Sequence, residues 1–448
     1  MIGQAQSAGR SRGAALIMAL FAVMILTALA VTFASVVRTD VLLAGNRAAM
    51  LQAFYAAQSG VNYCRTVLAA DDPSVDSLAA QTDWVQVEDA QTGAIEWQYP
   101  VSSPPSVELD IPGFTVSAVI EDESARLNIN TATESMLLAL PGMTQDAAES
   151  ILDWRDADEQ ARPMGAESDY YLSLPTPYEA ANHPFDTIDE LRLVRGMDTA
   201  LLEGDGTDAT LGNGDSSLPS ASAAPGLRNL VTVRSGEGNV DRRGTARLNL
   251  STLTANTAEL ALRARFPNLF APNDFTAIRA RLRQSPLRSL RDWMSITGVS
   301  WLKLARALDG LTAVGGRFVE GTVNLNTASE PVLEAIGLPA SVAQAVVSQR
   351  TAQPFTTKGQ LASVTGVTQA VMIAVVDRIA TKSSIFGVRV LGQAEDRPIR
   401  AGVFALLDRS GQIPTVLSWR EDFAPPAALG TSPLVGSTTP LGQVNNGS

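Results

Sequence analysis

The chain begins with a long apolar stretch that continues into a more polar but still periodic segment. From Ala14 to Val37 the sequence contains no charged residue. At about 1.5 Å per residue, a helix of that length covers the roughly 30 Å hydrocarbon layer of a bilayer. Apolar residues at three- and four-residue spacings then continue to about Ala70 without a proline. The pattern therefore predicts one unbroken helix, which spans a membrane at 14–37 and continues beyond it at 38–70.

The charges at the start of this helix predict its orientation. Arg10 and Arg12 precede the apolar stretch, and positive residues are typical of the cytoplasmic side of a membrane helix. We therefore expect a cytoplasmic leader and place the rest of the chain across the membrane. A cleavable secretory signal is the alternative, but its apolar region is normally shorter and ends at turn-forming residues.

Strand-like alternation of apolar and polar residues occurs in two separate parts of the chain. It appears at 84–100 and 114–123, disappears, and returns at 385–422. The predicted fold class is therefore α+β, with a small antiparallel sheet that is split by a large, mostly helical insertion. The predicted bounds are leader 1–13, sheet 80–123, helical insertion 124–382, second part of the sheet 383–423 and disordered tail 424–448.

The insertion contains internal repeats. One sequence motif, the first phrase of the repeat, occurs at 126–142 and 322–339, with a degenerate copy at 246–264. A second motif, the second phrase, follows each copy, at 184–197, 286–299 and 354–367. Repetition in a fixed order predicts stacked helical units that share a core. The polar stretch 203–226 between the first two copies is predicted to be a flexible connection.

Two threonines in the repeats are candidate helix caps. Thr131 precedes Glu134 by three residues, and Thr327 precedes Glu330 by the same spacing. This spacing is typical of a capping box, in which the two side chains satisfy backbone N–H groups at the start of a helix.

Composition disfavours several classes of function. The 448 residues carry a net charge of -12, which is unfavourable for a protein that must neutralise phosphates. Cys64 and His183 are the only residues of their types, so an intrachain disulfide and a cysteine-based zinc site are excluded. With a single possible histidine base and no evident nucleophile, we expect no enzymatic activity.

The paired phrases are similar to helix-hairpin-helix units, which in other proteins often bind DNA. Such a hairpin holds phosphate with backbone N–H groups at a G-x-G turn, usually beside Lys or Arg. The turns here, LPGMTQDAAES and IGLPASVAQA, lack the second glycine, and Asp146 and Glu149 stand where cations would be needed. Packing and protein contact are therefore the favoured interpretation.

An acidic segment at 151–186 is the strongest candidate for chemistry. It contains Asp153, Asp156, Asp158, Glu159, Glu167 and Asp169, and Arg155 and Arg162 are its only Lys or Arg residues before the next repeat phrase. Like charges at this density are unfavourable unless solvent or a hard cation such as Ca²⁺ screens them. On spacing alone, a solvated acidic loop and a calcium site are equally compatible with this pattern.

The N-terminus resembles that of the type IV pilins and pseudopilins. The resemblance rests on a short basic leader that ends in Gly13 and on the apolar helix that follows. It implies cleavage by a prepilin peptidase after Gly13, which makes Ala14 the first mature residue. Met18 stands where most members carry glutamate, and the K-type minor pseudopilins of type II secretion systems typically lack that glutamate.

The central segment is similar to the same K-type family, general secretion pathway protein K. The phrases RLNINTAT, ILDWRDAD and AESDYYLSLPTPYEAANHPFDTIDELRLVRGM carry this likeness. It implies an α-helical domain inserted into a pilin sheet, and bound calcium. The ligands that it implies here are Asp153, Asp156, Asp158, Glu167 and Asp169.

The resemblance implies a structural function. We expect a minor pseudopilin at the tip of the type II secretion pseudopilus, anchored once in the inner membrane with its C-terminal domain in the periplasm. The expected partners are the I- and J-type minor pseudopilins, and no nucleic acid is expected. The alternative is a membrane-tethered DNA receptor with periplasmic helix-hairpin-helix units.

Overall fold

The fold is taken from a computed structural model of the chain. The structure describes residues 8–70, 106–111, 113–204, 226–395, 398–411 and 413–422, together with two short strands at 87–88 and 95–96. Several sequence predictions fall wholly or largely outside these residues: the first part of the leader, most of the strand region 84–100, the connection 203–226 and the tail 424–448.

Within the described residues, the secondary structure combines one very long helix, many short helices and fifteen strands. The helices are α1 (Ala8–Ala70), α2 (Glu134–Leu138), α3 (Gln145–Arg155), α4 (Ser168–Leu172), α5 (Thr199–Glu203), α6 (Ala258–Arg265), α7 (Pro272–Gln284), α8 (Leu290–Met294), α9 (Trp301–Arg306), α10 (Glu330–Ala335), α11 (Ala340–Ala352) and α12 (Gln369–Val375). The strands are β1 (Val87–Glu88), β2 (Ile95–Glu96), β3 (Ser106–Ile111), β4 (Phe114–Asp122), β5 (Leu127–Asn128), β6 (Val231–Thr232), β7 (Gly236–Gly238), β8 (Leu248–Asn249), β9 (Leu311–Thr312), β10 (Phe318–Glu320), β11 (Val323–Asn324), β12 (Ile379–Ala380), β13 (Ile385–Ala394), β14 (Arg400–Asp408) and β15 (Thr415–Asp422).

Helix α1 has two parts with different surroundings. Within Ala15–Ala70 its most apolar window has a mean hydropathy of 2.7, and none of that window is buried inside the protein. By length and composition the helix can cross a membrane. Its C-terminal part instead packs on the sheet, where Ala57, Val61, Cys64 and Leu68 are buried.

The sheet supports this part of the helix. Its five strands lie in the order β15-β14-β13-β4-β3, and every neighbouring pair is antiparallel. Val116, Ile120 and Val388 face the helix in one core. A Cβ atom on Gly392 would lie 2.3 Å from the carbonyl oxygen of Ala53, so glycine permits the close approach of helix and sheet. The predicted α+β class with a split sheet is confirmed.

The insertion leaves and re-enters the sheet at one place. Strand β4 ends at Asp122, and β13 begins at Ile385. These two strands are neighbours, and Phe386 pairs directly with Asp122. The chain between them is therefore an insertion that starts and ends at two paired strands.

Three units within the insertion share one architecture. Each unit begins and ends with a short strand, and the two strands pair in parallel: β5 with β6, β8 with β9, and β11 with β12. Buried residues of all three units form one apolar core, among them Ile151, Trp293 and Val346. The middle unit therefore has the same closing strand pair as the other two, despite its degenerate sequence.

An asparagine joins the two phrases in the first and last units. The side-chain nitrogen of Asn130 donates to the carbonyl oxygens of Phe185 (2.9 Å) and Val233 (3.0 Å), and its side-chain oxygen accepts from the N–H of Phe185 (2.8 Å). Asn326 forms the same set with Phe355 (2.8 Å and 2.7 Å) and Thr381 (3.0 Å). The middle unit has the exposed Ser251 at this position.

An arginine adds a second common contact. In the first unit the guanidinium of Arg155 donates to the carbonyl oxygens of Ile129 and Ala132. In the last unit Arg350 donates to the corresponding carbonyls of Leu325 and Ala328. The C-terminal end of α3 or α11 is thereby fixed to the turn that precedes α2 or α10.

The predicted caps at Thr131 and Thr327 are wrong. Helix α2 is capped at Thr133 and α10 at Ser329, two residues later in each case. The reason is an intervening turn, because the carbonyl of Asn128 accepts from the N–H groups of Thr131 (3.2 Å) and Ala132 (2.9 Å). The Thr327 hydroxyl donates instead to Asp122, at 2.6 Å.

The asparagine contacts generate a stability prediction. Asn326→Ala leaves three buried backbone groups without their partner, so we expect it to lower the free energy of unfolding by about 2–4 kcal/mol. Urea denaturation of the purified chain measures this change. Ser251→Ala at the equivalent exposed position should change it by no more than about 0.5 kcal/mol. Equal effects of the two substitutions would contradict the proposed role of Asn326.

Candidate metal centre

The acidic loop lies between α3 and α4 on an aromatic base. Asp156 is the C-cap residue directly after α3, and Glu167 is the N-cap residue directly before α4. Beneath them the ring of Trp154 lies edge-on to that of Tyr171, with centroids 5.2 Å apart, and it stacks on Phe185 at 6.4 Å. These rings are buried, so they fix the two ends of the loop relative to each other.

Three of the predicted ligands come together. Asp156, Asp158 and Glu167 each offer one carboxylate oxygen, and these oxygens lie within 4.8 Å of one another. Oxygens that bind one calcium ion at about 2.3–2.6 Å can be at most about 5 Å apart. The group therefore has the spacing that a single ion requires.

Glu167 is the most unusual member of the group. The residue is buried, and neither of its carboxylate oxygens has a hydrogen-bond partner in the part of the chain that the structure describes. Burial, and then the negative charges of Asp153 and Asp156, raise the pKa of Glu167 to about 7. A buried carboxylate without a partner is costly, and a cation at this point would remove that cost.

Asp153 has a different environment from the other three. It is fully buried, and both of its oxygens accept hydrogen bonds from Arg162, one from the guanidinium and one from the backbone N–H at 3.1 Å. Burial raises the pKa of Asp153 although Arg162 opposes the change. The same guanidinium contacts one oxygen of Asp156 at 2.7 Å, and the other oxygen of Asp156 is buried without a partner.

Asp169 lies outside the group in this structure. It is exposed in the first turn of α4, and its assignment as a ligand stays a prediction. The processing site at Gly13 and Ala14 likewise stays a prediction. Both residues lie within helix α1.

The loop is held by residues that were not expected to have this role. Glu149 accepts a hydrogen bond from the N–H of Met164 at 2.6 Å, and Glu159 accepts from the side chain of Asn182, also at 2.6 Å. A Cβ atom on Gly165 would lie 1.8 Å from a carboxylate oxygen of Asp153. Gly165 is the only feature of the sequence in this acidic segment that could have indicated the close approach of its backbone to Asp153.

Comparison with known proteins gives two family matches. Residues 114–204 match the family described as "Type II secretion system (T2SS), protein K". Residues 319–379 match the helix-hairpin-helix motif. The first match covers strand β4 and the whole candidate centre, and the second covers most of the last repeat unit. Both resemblances expected from the sequence are thereby confirmed over these ranges.

Curated relatives support the first match. The chain is 33% identical to the type II secretion system protein K of Pectobacterium carotovorum subsp. carotovorum over 121 residues, which is 22% of this chain and 37% of that protein. It is 33% identical to the protein of the same name from Pseudomonas aeruginosa over 93 residues, 17% of this chain and 28% of that protein. The chain thus spans about a third of the length of these relatives.

A solved structure is also similar. It is the crystal structure of the GspK-GspI-GspJ complex from the type 2 secretion system of enterotoxigenic Escherichia coli, matched with a TM-score of 0.42 and 17% identity. The match covers 84% of this chain and 98% of that chain.

The environment of Glu167 predicts a pH-dependent stability in a buffer that contains a chelator. Its pKa of about 7 is above the ordinary value of 4.5, so the folded state favours the protonated form and loses stability as pH rises from 4.5 through 7. We expect Glu167→Gln to match the parent at pH 4.5 and to exceed its unfolding free energy by about 3 kcal/mol at pH 8.

Urea denaturation across this pH range makes the measurement. Glu179→Gln is the control, because Glu179 is exposed on the same segment. A difference between Glu167→Gln and the parent that stays constant from pH 4.5 to pH 8 would contradict the description of Glu167.

Proposed function

We propose that the chain is a minor pseudopilin at the tip of the secretion pseudopilus, because residues 114–204 match the type II secretion system protein K family. In this role it contributes to protein secretion across the outer membrane. The observation that carries the proposal is the position of the family match, which begins in β4 and extends through the candidate metal centre.

The long helix supports an anchored filament subunit. Large apolar side chains of α1 are exposed along its N-terminal part, for example Phe21, Leu29 and Phe33. Such a surface requires lipid or neighbouring helices. We place this part in the inner membrane before assembly, with the sheet and the insertion in the periplasm. Prepilin peptidase would release the leader after Gly13.

Two features favour the end of the filament over its body. Met18 offers no carboxylate to a neighbouring subunit, so one attractive contact that most pilins make is missing. The insertion 123–384 projects from a single strand pair and would obstruct the addition of a further subunit. A structural role of this kind requires no catalytic residue.

Calcium is the proposed ligand of the acidic loop. Asp156, Asp158 and Glu167 supply the converging oxygens, and Asp153 and Asp169 are the remaining candidates. A hard divalent cation would neutralise the group. The buried oxygens of Glu167 and Asp156 that have no hydrogen-bond partner within the described residues support this assignment, since each would gain contact with the cation. The protein's own contribution is to hold the end of α3 and the start of α4 at a fixed separation.

Helix-hairpin-helix similarity keeps DNA binding as the second candidate function. In the last unit, however, Arg350 donates to the carbonyl of Leu325 and Arg378 to that of Ile336, both at 3.0 Å. These guanidiniums satisfy backbone carbonyls near the hairpin, which supports packing as their role over phosphate contact.

Calcium should stabilise the chain through this loop. At a concentration about 100 times the dissociation constant, one bound ion adds about 2.7 kcal/mol to stability, so we expect a higher thermal midpoint with calcium than with chelator. Asp156→Asn/Asp158→Asn should remove this difference. Asp186→Asn/Glu179→Gln, which neutralises two exposed carboxylates of the same segment, should preserve it. An unchanged calcium response in the first variant would contradict the site.

Partner binding should depend on the exposed apolar side of α1 beyond the membrane. Leu51 is 58% exposed and Tyr55 is 60% exposed, and we expect this surface to contact I- and J-type minor pseudopilins. Leu51→Asp should abolish co-purification with these partners, because it buries a charge at the contact. Leu260→Asp, the same change at a 78% exposed position of α6, should retain it. Filaments formed by the purified chain alone would contradict the tip assignment.

A further inference from the structure

The middle repeat unit and the turn that precedes it concentrate the positive charge of an otherwise acidic chain. Residues 241–309, which include both acids of the cleft described below, carry 12 Lys and Arg against 5 Asp and Glu, whereas the remainder carries 22 against 41. Charge segregated in this way produces a local potential that attracts anions. This positive charge lies in the insertion, outside the pilin-like helix and sheet.

Part of this charge surrounds a cleft. The cleft has a volume of about 390 Å³ and lies between the turn at 241–245, the end of α6 and the end of α9. Its charged lining residues are Arg242, Arg243, Arg265, Arg306, Asp241 and Asp309, and Phe266 and Leu269 give it an apolar wall.

The two acids of the cleft already have partners. One oxygen of Asp241 accepts from Arg265 at 2.6 Å, and the other accepts from the N–H groups of Arg243 and Thr245. Asp309 accepts from the N–H of Arg242 at 3.4 Å.

Three arginines remain available to a ligand. Arg242, Arg243 and Arg306 are exposed, and their side chains form no ion pair within the residues that the structure describes. These three guanidinium groups are therefore open to direct contact with an anion.

The backbone that carries two of these arginines is fixed. Val240 and Ala246 pair across the turn, and Gly244 supplies the positive φ of 75° that the turn requires. The next residue, Arg247, is buried and binds both carboxylate oxygens of Glu237, at 2.7 Å and 3.0 Å. A preformed backbone lowers the entropic cost of binding a ligand.

We propose that this cleft is a binding site for the oxyanion group, phosphate or carboxylate, of a small ligand. The planar guanidinium fork binds such groups through paired, charge-assisted hydrogen bonds. The volume lies within the range of small-molecule sites, and the wall formed by Phe266 and Leu269 is suited to the carbon part of the ligand. This inference is independent of the calcium site and of the position in the pseudopilus.

Isothermal titration calorimetry of the full chain in neutral detergent tests the proposal. The probes are inorganic pyrophosphate and citrate in calcium-free buffer at fixed ionic strength, and the tighter of the two distinguishes a phosphate site from a carboxylate site. Arg243→Gln/Arg306→Gln should weaken binding by about ten-fold or more. Arg283→Gln/Arg288→Gln, which removes two exposed arginines outside the cleft lining, should change it by less than about two-fold.

Two results would overturn this assignment. Absence of saturable binding by both probes would show that the cleft is not an oxyanion site. Equal weakening in the two variants would show that the positive charge acts as an extended surface. A parallel titration with duplex DNA at several salt concentrations identifies that case, because affinity for an extended phosphate backbone falls steeply with salt.

Discussion

The pairing of Asp122 with Phe386 is the constraint on which the rest of the structure depends. Because the insertion leaves and returns on adjacent strands, a large excursion can form without disturbing the register of the sheet. Asp122 also connects the two cores, since its carboxylate accepts hydrogen bonds from the side chains of Asn324 (2.9 Å) and Thr327 (2.6 Å) of the last unit. One residue therefore belongs both to the sheet and to the end of the repeats, and this fixes where the insertion begins.

Two buried glutamates show how the insertion uses charge in opposite ways. Glu237 is buried between Arg247 and Lys358, and these cations outweigh the effect of burial and lower its pKa to about 2. Glu167 is buried beside further carboxylates, and its pKa is raised to about 7. In the first arrangement the carboxylate is paired with two buried cations, which link β7 to the residue before β8 and to the last unit. In the second, the guanidinium of Arg162 contacts Asp153 and Asp156 but Glu167 has no partner among the described residues, and for this reason it is the candidate metal centre.

The sequence was sufficient to predict features that follow from periodicity. The length of α1, the split sheet and the three repeat units each produce a pattern over many residues. Features set by single contacts were not predictable. The caps at Thr133 and Ser329 depend on a turn closed by Asn128 or Asn324, and the separation of Asp153 from the other ligands depends on Arg162, nine residues away. The sequence did not indicate which of the several carboxylates in the acidic segment would lie close together.

We propose that the chain occupies one end of a filament, with its helix in the shared core and its insertion outside. Single-molecule counting of the labelled chain in assembled pseudopili tests this claim most directly. We expect one copy per pseudopilus, located at an end. Several copies distributed along the length would contradict it.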